Sequence, residues 1–398
     1  MSKTGLQALV LMGLRLTKSH LSFLSSILFF FCASFAHATE VAFAGFAYVG
    51  QSQSVAAQFP YSKRFEATLG PDGVNALLRK NLASINPQGF TLIPRLDELA
   101  GRDQAIAVAL VVTNETVSTE QFGQVYKVFA QIRGQALFFD FKSKTVLRAY
   151  PFSFAYLDAL SAPPTDAQKD ASISSIYLGK SGKPGILERF GQVLTQATLP
   201  THTPKFVQIT HVIVGDEAKK EFPSQYGPSV TETWVADTFG EAIAGKMGIP
   251  ILPFAKGYAI GGVMAVSVGD STVFNLTLPE PDYEFSVNLL KLKKAVFEET
   301  AAGKSLIYGT FATVKLEQPL AAKSYLDGQF KNGEVKVVSA LQTDTDDFPA
   351  YQDSMRGLFT KLSSAIAGDS SPWIKSAAMS VNVDKQIIST RELLQSCK

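Results

Sequence analysis

The side chains that most often bind metals or drive hydrolysis are scarce in this sequence. Its 398 residues include four histidines and two cysteines, and no G-x-S-x-G motif marks a catalytic serine. Zinc and iron sites built from imidazole and thiolate groups need several such ligands in one place. The sequence therefore predicts no catalytic residue, no metal site and no cofactor, and it favours a non-enzymatic protein.

An excess of charge is also absent. The chain carries 37 basic and 35 acidic residues, and residues 39–398 alone carry 34 and 35. A nucleic-acid-binding domain normally presents a basic excess, so we expect no nucleic-acid partner. After residue 38 no apolar run approaches the length of about 18 residues that is typical of a membrane-spanning helix. We therefore expect the processed chain to be soluble.

The first 38 residues have the pattern of a secretory signal peptide. They contain three basic residues and no acidic ones, an apolar run at 21–36, and an A-x-A cleavage site formed by Ala36 and Ala38. We expect cleavage after Ala38 and a periplasmic or secreted protein. A retained anchor is the alternative, because the apolar run is just shorter than the roughly 17 residues that span a bilayer. Translation could begin at Met1 or at Met12.

Cleavage would leave Cys397 as the one cysteine, which excludes an internal disulfide. In an oxidising compartment a lone thiol near the chain end could form an intermolecular disulfide and so a homodimer. An incidental cysteine on a frayed tail is the alternative. The remaining histidines would be His202 and His211, and His211 lies in an apolar strand pattern that predicts a core or edge position.

Two stretches of the chain show the same order of elements. Residues 41–49 (VAFAGFAYV) and 206–215 (FVQITHVIVG) each have the pattern of a buried strand and are followed by a Phe-Pro pair. Each is followed by a helix with an apolar stripe, then by a short strand and a proline. We therefore predict an internal duplication, in which the glycine after each strand is a corner of the fold. The predicted domains are 39–200, 204–368 and a tail at 369–398 with a short helix capped by Ser389.

A strand and a long hairpin are predicted after the helix in each copy. They fall at 105–112, 125–141 and 146–154 in the first copy, and at 263–268, 284–297 and 306–316 in the second. An extra stretch at 325–341 contains Asn332-Gly333, a pair typical of a hairpin turn. Strands joined by a crossover helix run parallel, whereas a hairpin is antiparallel. The expected fold class is α+β, with two related domains, each a mixed β-sheet with a long hairpin packed by amphipathic helices.

The first hairpin carries the most specific sequence pattern. Residues 137–147 (LFFDFKSKTVL) combine an apolar strand, Asp140, a basic turn and a second apolar strand. Together with most of 40–200, this hairpin resembles the small α+β domain shared by the TolB amino-terminal domain and the curli-secretion protein CsgG. The resemblance implies an envelope protein that acts by protein-protein contact. The chain lacks a lipobox, paired membrane-spanning hairpins and propeller repeats, so neither a secretion pore nor a complete TolB-like protein is expected.

Aromatic residues crowd the first hairpin beyond the need of one sheet face. Core packing explains part of them, and the surplus is predicted to form an exposed partner surface, because aromatic side chains are enriched at interfaces. The residues of this predicted surface are Phe129, Phe138, Tyr150, Phe152, Phe154 and Tyr156.

Two motifs resemble ligand-binding loops, but the residues around them do not match those that such loops require. Residues 302–305 (AGKS) have the end of a phosphate-binding loop but lead into a strand pattern, so a hairpin turn is predicted. Asp344, Asp346 and Asp347 begin like a calcium loop, but Met355 stands where the bidentate glutamate is required. A solvated acidic turn is expected there.

These observations favour a secreted periplasmic accessory or scaffold protein that acts by protein-protein contact in envelope assembly or transport. Its expected partner is another envelope protein, through which it could associate with the outer membrane. The alternative is a periplasmic small-molecule or glycan-binding protein that uses the cleft between the domains. An exposed apolar patch favours the first function, and a deep polar pocket favours the second.

Overall fold

The computed structural model describes residues 39–398 apart from 100–104, 123, 201–203, 225, 261, 269–271, 341, 343–345 and 370–371. The predicted signal peptide with Ala36 and Ala38 lies outside the described residues, as do His202 and Asp344. Glu40–Lys398 pack as one unit.

The first half of this unit is a mixed sheet with helices on one face. Its strands are β1 (Glu40–Val49), β2 (Thr91–Ile93), β3 (Ile106–Phe122), β4 (Val125–Asp140) and β5 (Thr145–Leu160). Its helices are α1 (Ser52–Gln58), α2 (Pro60–Leu69), α3 (Gly73–Leu82), α4 (Asp166–Leu178) and α5 (Ile186–Gln196). β1 runs parallel to β2 and β3, and β3, β4 and β5 form an antiparallel meander. The predicted parallel pair and the predicted β4–β5 hairpin are therefore confirmed.

The second half contains a smaller sheet. The strands of the second half are β6 (Val207–Val214), β7 (Ala259–Ile260), β8 (Val263–Val268), β9 (Thr272–Thr277), β10 (Tyr283–Thr300), β11 (Gly303–Gln318) and β12 (Lys323–Ser339). Its helices are α6 (Asp216–Lys219), α7 (Pro228–Met247), α8 (Ala255–Tyr258), α9 (Phe348–Ala367), α10 (Trp373–Ala377) and α11 (Val383–Gln395). The sheet order is β12-β11-β10-β6, with β6 parallel to β10 and the other pairs antiparallel. The α+β fold class is thus present in both halves.

The two sheets share one strand order. A first strand lies beside a long parallel strand, β1 beside β3 and β6 beside β10, and two antiparallel strands follow. A short parallel segment also borders the first strand in each half, β2 beside β1 and Leu252 beside Gln208. The structural equivalents of β3, β4 and β5 are therefore β10, β11 and β12. The predicted matches of 105–112 with 263–268, of 125–141 with 284–297 and of 146–154 with 306–316 are wrong.

The predicted turn at Asn332-Gly333 is also wrong, because both residues lie inside β12. The buried Asn332 amide donates from Nδ2 to the carbonyl of Ser354, 3.1 Å away. That contact with α9 holds the asparagine within the strand, so tertiary packing overrides the turn preference of the pair.

The second half also contributes a ribbon, β8 and β9, to the first sheet. β8 pairs antiparallel with the end of β1, and β9 meets β5 at Thr145 and Thr277. Gly50, with φ at +105°, donates its N–H to the carbonyl of Ala265 at 2.9 Å. Phe274 of the ribbon lies 6.1 Å from Phe139 between ring centroids. Because helices cover the other face, β4 is buried without interruption from residue 130 to 139.

The second-half core lies between the smaller sheet and two long helices. Phe239 of α7 packs against Phe285 of β10 and Phe359 of α9, with centroid separations of 5.0 and 5.2 Å. α7 begins at Pro228 and is followed by Gly248 in the left-handed conformation, and both residues are favourable at these positions. The predicted amphipathic closing helices are present as α5 and α9.

The chain ends in a helix, as predicted, but its start differs. α11 follows Asn382, whose φ is +58°, and Ser389 lies inside the helix. The Ser389 hydroxyl donates to the carbonyl of Tyr325, 3.3 Å away. Ser389 therefore ties the helix to β12, and the prediction that it caps the helix is wrong.

We expect Leu276→Ala to lower the free energy of unfolding by about 2 to 5 kcal/mol. The Leu276 side chain comes from β9 but is fully buried in the core of the first half. Asn275→Ala, at the neighbouring exposed position, is the control and should change the value by less than about 0.5 kcal/mol. Urea unfolding followed by circular dichroism measures both. Equal effects would contradict the packing of the ribbon on the first sheet.

Candidate interaction surface

One end of the second sheet exposes apolar side chains. Every residue from 293 to 300 in β10 is exposed. Phe297, Val335 and Val337 are 68%, 61% and 67% exposed. Scattered single apolar residues are ordinary on a protein surface, but grouped ones mark contact sites. We call Phe297, Val335, Val337, Ala295 and Ile307 the tip surface.

Strand pairing brings the tip surface together. Ala295 lies opposite Ile307, which lies opposite Val335 on its other side. In the next row, Ser305 lies opposite Val337. Residues directly opposite each other place their side chains on the same face of a sheet. The result is an apolar row across three strands, flanked by a valine in the adjacent row.

Phe297 reaches this surface through an irregularity in β10. Val296 pairs with Leu306 and Glu298 pairs with Ser305, so Phe297 is the extra residue of a β-bulge. A bulge bends its strand and redirects a side chain. The bulge therefore adds an aromatic ring to the tip surface that regular pairing would not place there.

The charges around the tip surface are unevenly distributed. Lys291 and Lys331 both lie opposite Phe311, on the side away from the hairpin turn, and the Lys291 ammonium lies 5.0 Å from the Phe311 ring centroid. Glu298, Glu299 and Lys304 lie on the side of the turn, where Lys304 forms an ion pair with Glu299 at 2.9 Å. A partner with the reverse charge order would be favoured, because complementary potentials select partners.

The opposite face of the same strands belongs to the core. Burial in β11 alternates, so that every second residue from 306 to 316 is buried. The Tyr308 hydroxyl donates to Asp347 Oδ1 at 2.5 Å, and the Thr310 hydroxyl donates to Ser354 Oγ at 2.9 Å. Burial raises the pKa of Tyr308 above its usual value, so this donor stays protonated. These contacts hold one face of β11 against the core, so the opposite face, which bears the tip surface, is the one that is exposed.

None of the six aromatic residues predicted as a partner surface is fully exposed. Phe138 and Phe152 are buried, and Phe129, Tyr150, Phe154 and Tyr156 are half-buried. Phe138 packs on Tyr150 and on Phe90, with centroid separations of 6.0 and 5.6 Å. Adjacent residues of a strand point to opposite faces, and both faces are covered along β4 from residue 130 to 139 and along the first part of β5. The surplus aromatic side chains therefore pack in the core, on the two covered faces of the sheet.

Cys397 is buried and does not lie on a frayed tail. Its side chain is 2% exposed, and its Sγ lies 3.5 Å from the carbonyl of Leu393. Burial raises the pKa of the thiol. The next residue, Lys398, accepts a hydrogen bond from Arg148 at its carbonyl, 3.3 Å away. An intermolecular disulfide would therefore require the chain end to detach.

A cavity lined by both apolar and polar residues lies between the two halves. Its lining includes Arg133, Gln135, Asp237 and Glu241, and it offers about 40 Å³ to the centres of water-sized molecules. Arg133 and Gln135 are buried, and among the described atoms Arg133 Nε and Gln135 Nε2 find no hydrogen-bond acceptor. A water occupies about 10 to 15 Å³ on this measure, so the cavity has room for about three waters.

The remaining candidate residues have structural positions. His211 is exposed on β6, where its Nδ1 lies 2.9 Å from the Thr210 hydroxyl. Residues 301 and 302 form the β10–β11 turn, as predicted for the AGKS motif. Among the described residues no group of three His, Cys, Asp or Glu side chains is placed to hold a metal. Within the same residues, no helix has both the length and the apolar content to cross a membrane.

Comparison with known proteins identifies no family for this chain. No protein-family model matches the sequence, and no curated protein matches it. One solved structure that matches is the crystal structure of protein XCC0632 from Xanthomonas campestris, assigned to DUF330. The match covers 42% of this chain and 87% of that chain, with 9% identity and a TM-score of 0.21. A similarity at that score supports no inference about fold or function. The resemblance to the TolB and CsgG domains stays a prediction.

We expect Cys397 to react with a thiol reagent about a hundredfold or more slowly in the folded protein than in urea, because a buried thiol reacts through opened states. Val337→Cys supplies an exposed thiol on the same fold as the control for reagent access. Mass spectrometry after timed labelling locates and quantifies each modified cysteine. Labelling of Cys397 as fast as of the control thiol would contradict its burial.

Proposed function

We propose that this protein is a secreted, periplasmic, non-enzymatic accessory or scaffold protein that acts by protein-protein contact in envelope assembly or transport. The observation that carries the proposal is the tip surface, where apolar side chains lie exposed on the open face of a sheet. Apolar centres with polar rims are the usual composition of protein contact sites. The proposed partner is another envelope protein, and any outer-membrane association occurs through that partner.

Support for the location comes from the sequence. Residues 1–38 have a pattern that is typical of a signal peptide and so favours export, and the resemblance of the first half to the TolB and CsgG domains agrees with an envelope setting. In the hairpin that carries the resemblance, Ser143 donates its N–H to Asp140 Oδ1 at 2.7 Å, which gives the aspartate a role in closing the turn. The common strand order of the two sheets supports an origin by duplication of one such domain.

A protein partner fits the tip surface better than a lipid bilayer does. Surfaces that bind anionic membranes combine apolar residues with Lys and Arg at the membrane boundary. Here Glu298 and Glu299 lie next to the turn, where the strands would first meet a bilayer, and Lys304 beside them forms an ion pair with Glu299. The net negative charge of these three residues opposes that approach but can be matched by a basic group on a protein.

Small-molecule or glycan binding between the halves is the second candidate function. The unpaired donors of Arg133 and Gln135 favour it, because buried polar groups normally have a partner. The size of the cavity opposes it, since space for about three waters is far below the roughly 300 Å³ of a small-molecule pocket. A glycan would have to separate the halves, so contact through the tip surface is the better-supported function.

Phe297→Ser is expected to remove the captured envelope partner from in-cell crosslinking, because aromatic anchors dominate the energy of protein contacts. A photoreactive residue placed at Ala295, exposed on β10, reports the contact, and mass spectrometry identifies the captured protein. Leu320→Ser is the matched control, since Leu320 is 95% exposed in the turn between β11 and β12, outside the tip surface. Equal capture by the two variants, or no envelope protein captured by the parent chain, would contradict the proposal.

A further inference from the structure

The last part of β12 is an edge whose backbone groups point away from the sheet. Earlier in the strand this edge is covered: Met379 donates its N–H to the carbonyl of Gln329 at 2.8 Å, and Gln329 donates its N–H to Ser380 Oγ at 2.9 Å. Asp327 donates its N–H outward to Gln386 Oε1 at 2.8 Å. The odd-numbered residues of β12 therefore direct their backbone groups outward.

Backbone groups alternate in direction from one residue of a strand to the next, so the odd-numbered residues also point outward at the exposed end of β12. Gly333, Val335 and Val337 direct their N–H and C=O groups outward, and among the described residues no hydrogen-bond partner lies on that side of them. The regular pairing of β12 with β11 continues through these residues. Such an edge is a template for another strand.

We propose that residues 332–338 of β12 pair antiparallel with the same residues of a second copy, about a twofold axis at Val335. The two four-stranded sheets then form one continuous sheet. Val335 faces Val335 of the second copy, and Gly333 faces Val337. The outward backbone groups of Gly333, Val335 and Val337 are hydrogen-bonded in this register.

The charges of the strand select this register. With the axis at Val335, Glu334 of each copy lies opposite Lys336 of the other, which gives two opposite-charge pairs. A shift of the axis to residue 334 places glutamate opposite glutamate, and a shift to residue 336 places lysine opposite lysine. Opposite charges stabilise directly facing pairs and like charges destabilise them.

The contacts already made by these two charges are compatible with the pairing. Within one chain the Lys336 ammonium contacts Glu120, and the Glu334 carboxylate contacts Lys361 at 3.1 Å. Pairing adds the second copy to these ion pairs and makes a chain of alternating charge. Such self-complementarity is the requirement of a twofold interface, and it favours a second copy over an unrelated strand.

This inference does not depend on the proposed function. The twofold contact uses the edge of β12, whereas the partner-binding test uses Phe297 on β10, which is separated from that edge by β11. Phe297→Ser is expected to leave the dimer intact. Loss of the dimer in Val335→Lys is expected whether or not an envelope partner exists.

The oligomeric state of the purified full-length protein tests the proposal. Light scattering after gel filtration over a range of concentrations should show a dimer that dissociates on dilution. Val335→Lys places like charges opposite each other at the axis and should raise the dissociation constant about tenfold or more. Val381→Lys, at an exposed position outside the strand, is the control. A monomer at every concentration, or a dimer unaffected by Val335→Lys, would overturn the proposal.

Disulfide trapping tests the register directly. At the axis two hydrogen-bonded residues have Cα atoms about 5.5 Å apart, which permits a disulfide. Val335→Cys should therefore give a reducible dimer on mild oxidation. In Val337→Cys the two introduced thiols lie four residues apart along the strands, about 13 Å, and should not form one. Equally rapid crosslinking of the two variants would rule out this register, and no crosslinking of Val335→Cys would rule out the contact.

Discussion

The burial of Arg133 between the two halves is the constraint on which the rest of the fold depends. Its guanidinium donates from Nη2 to the Thr238 hydroxyl at 2.8 Å and lies 5.3 Å from the Trp234 ring centroid. Glu241 Oε2 lies 3.8 Å from its Nε. A buried cation is tolerated only with such compensation. β4, which carries Arg133, and α7, which carries the other three residues, are therefore stable only together.

This contact explains why the first sheet is covered on both faces. Helices cover one face, while α7 and the β8–β9 ribbon cover the other, so the first half depends on the second for part of its core. At the far end of β3, Glu120 contacts Lys336 of β12, which ties the end of the second sheet to the first half as well. The tip surface is therefore presented from a fixed base, and contact through it requires little ordering of the backbone, which lowers the cost of binding.

The parts of the fold that local pattern determines could be predicted from the sequence. The apolar stripe of α5, the β4–β5 hairpin and the parallel first strands follow from periodicity and from the geometry of crossovers. The equivalence of β3 and β10 could not be predicted, because the inserted β8 and β9 carry a strand pattern at the expected spacing and pair with the other half of the chain. The prediction of an aromatic partner surface was limited in the same way, by contacts between distant parts of the chain. An aromatic cluster in the sequence does not show whether one face of a strand is covered or two, and the second cover here comes from residues far along the chain.

The residues of the tip surface are not equally strong evidence for contact with a partner. Val335 and Val337 alternate along β12, and β-branched residues are common at exposed strand positions for reasons of backbone preference alone. Phe297 has no such explanation, since the extra residue of a bulge has no cross-strand partner and gains nothing from pairing with β11. An exposed aromatic ring there adds no core packing to the described fold. The ring supplies a large apolar group at the edge of a charged rim. Local structure does not require this group, whereas contact with a partner would use it.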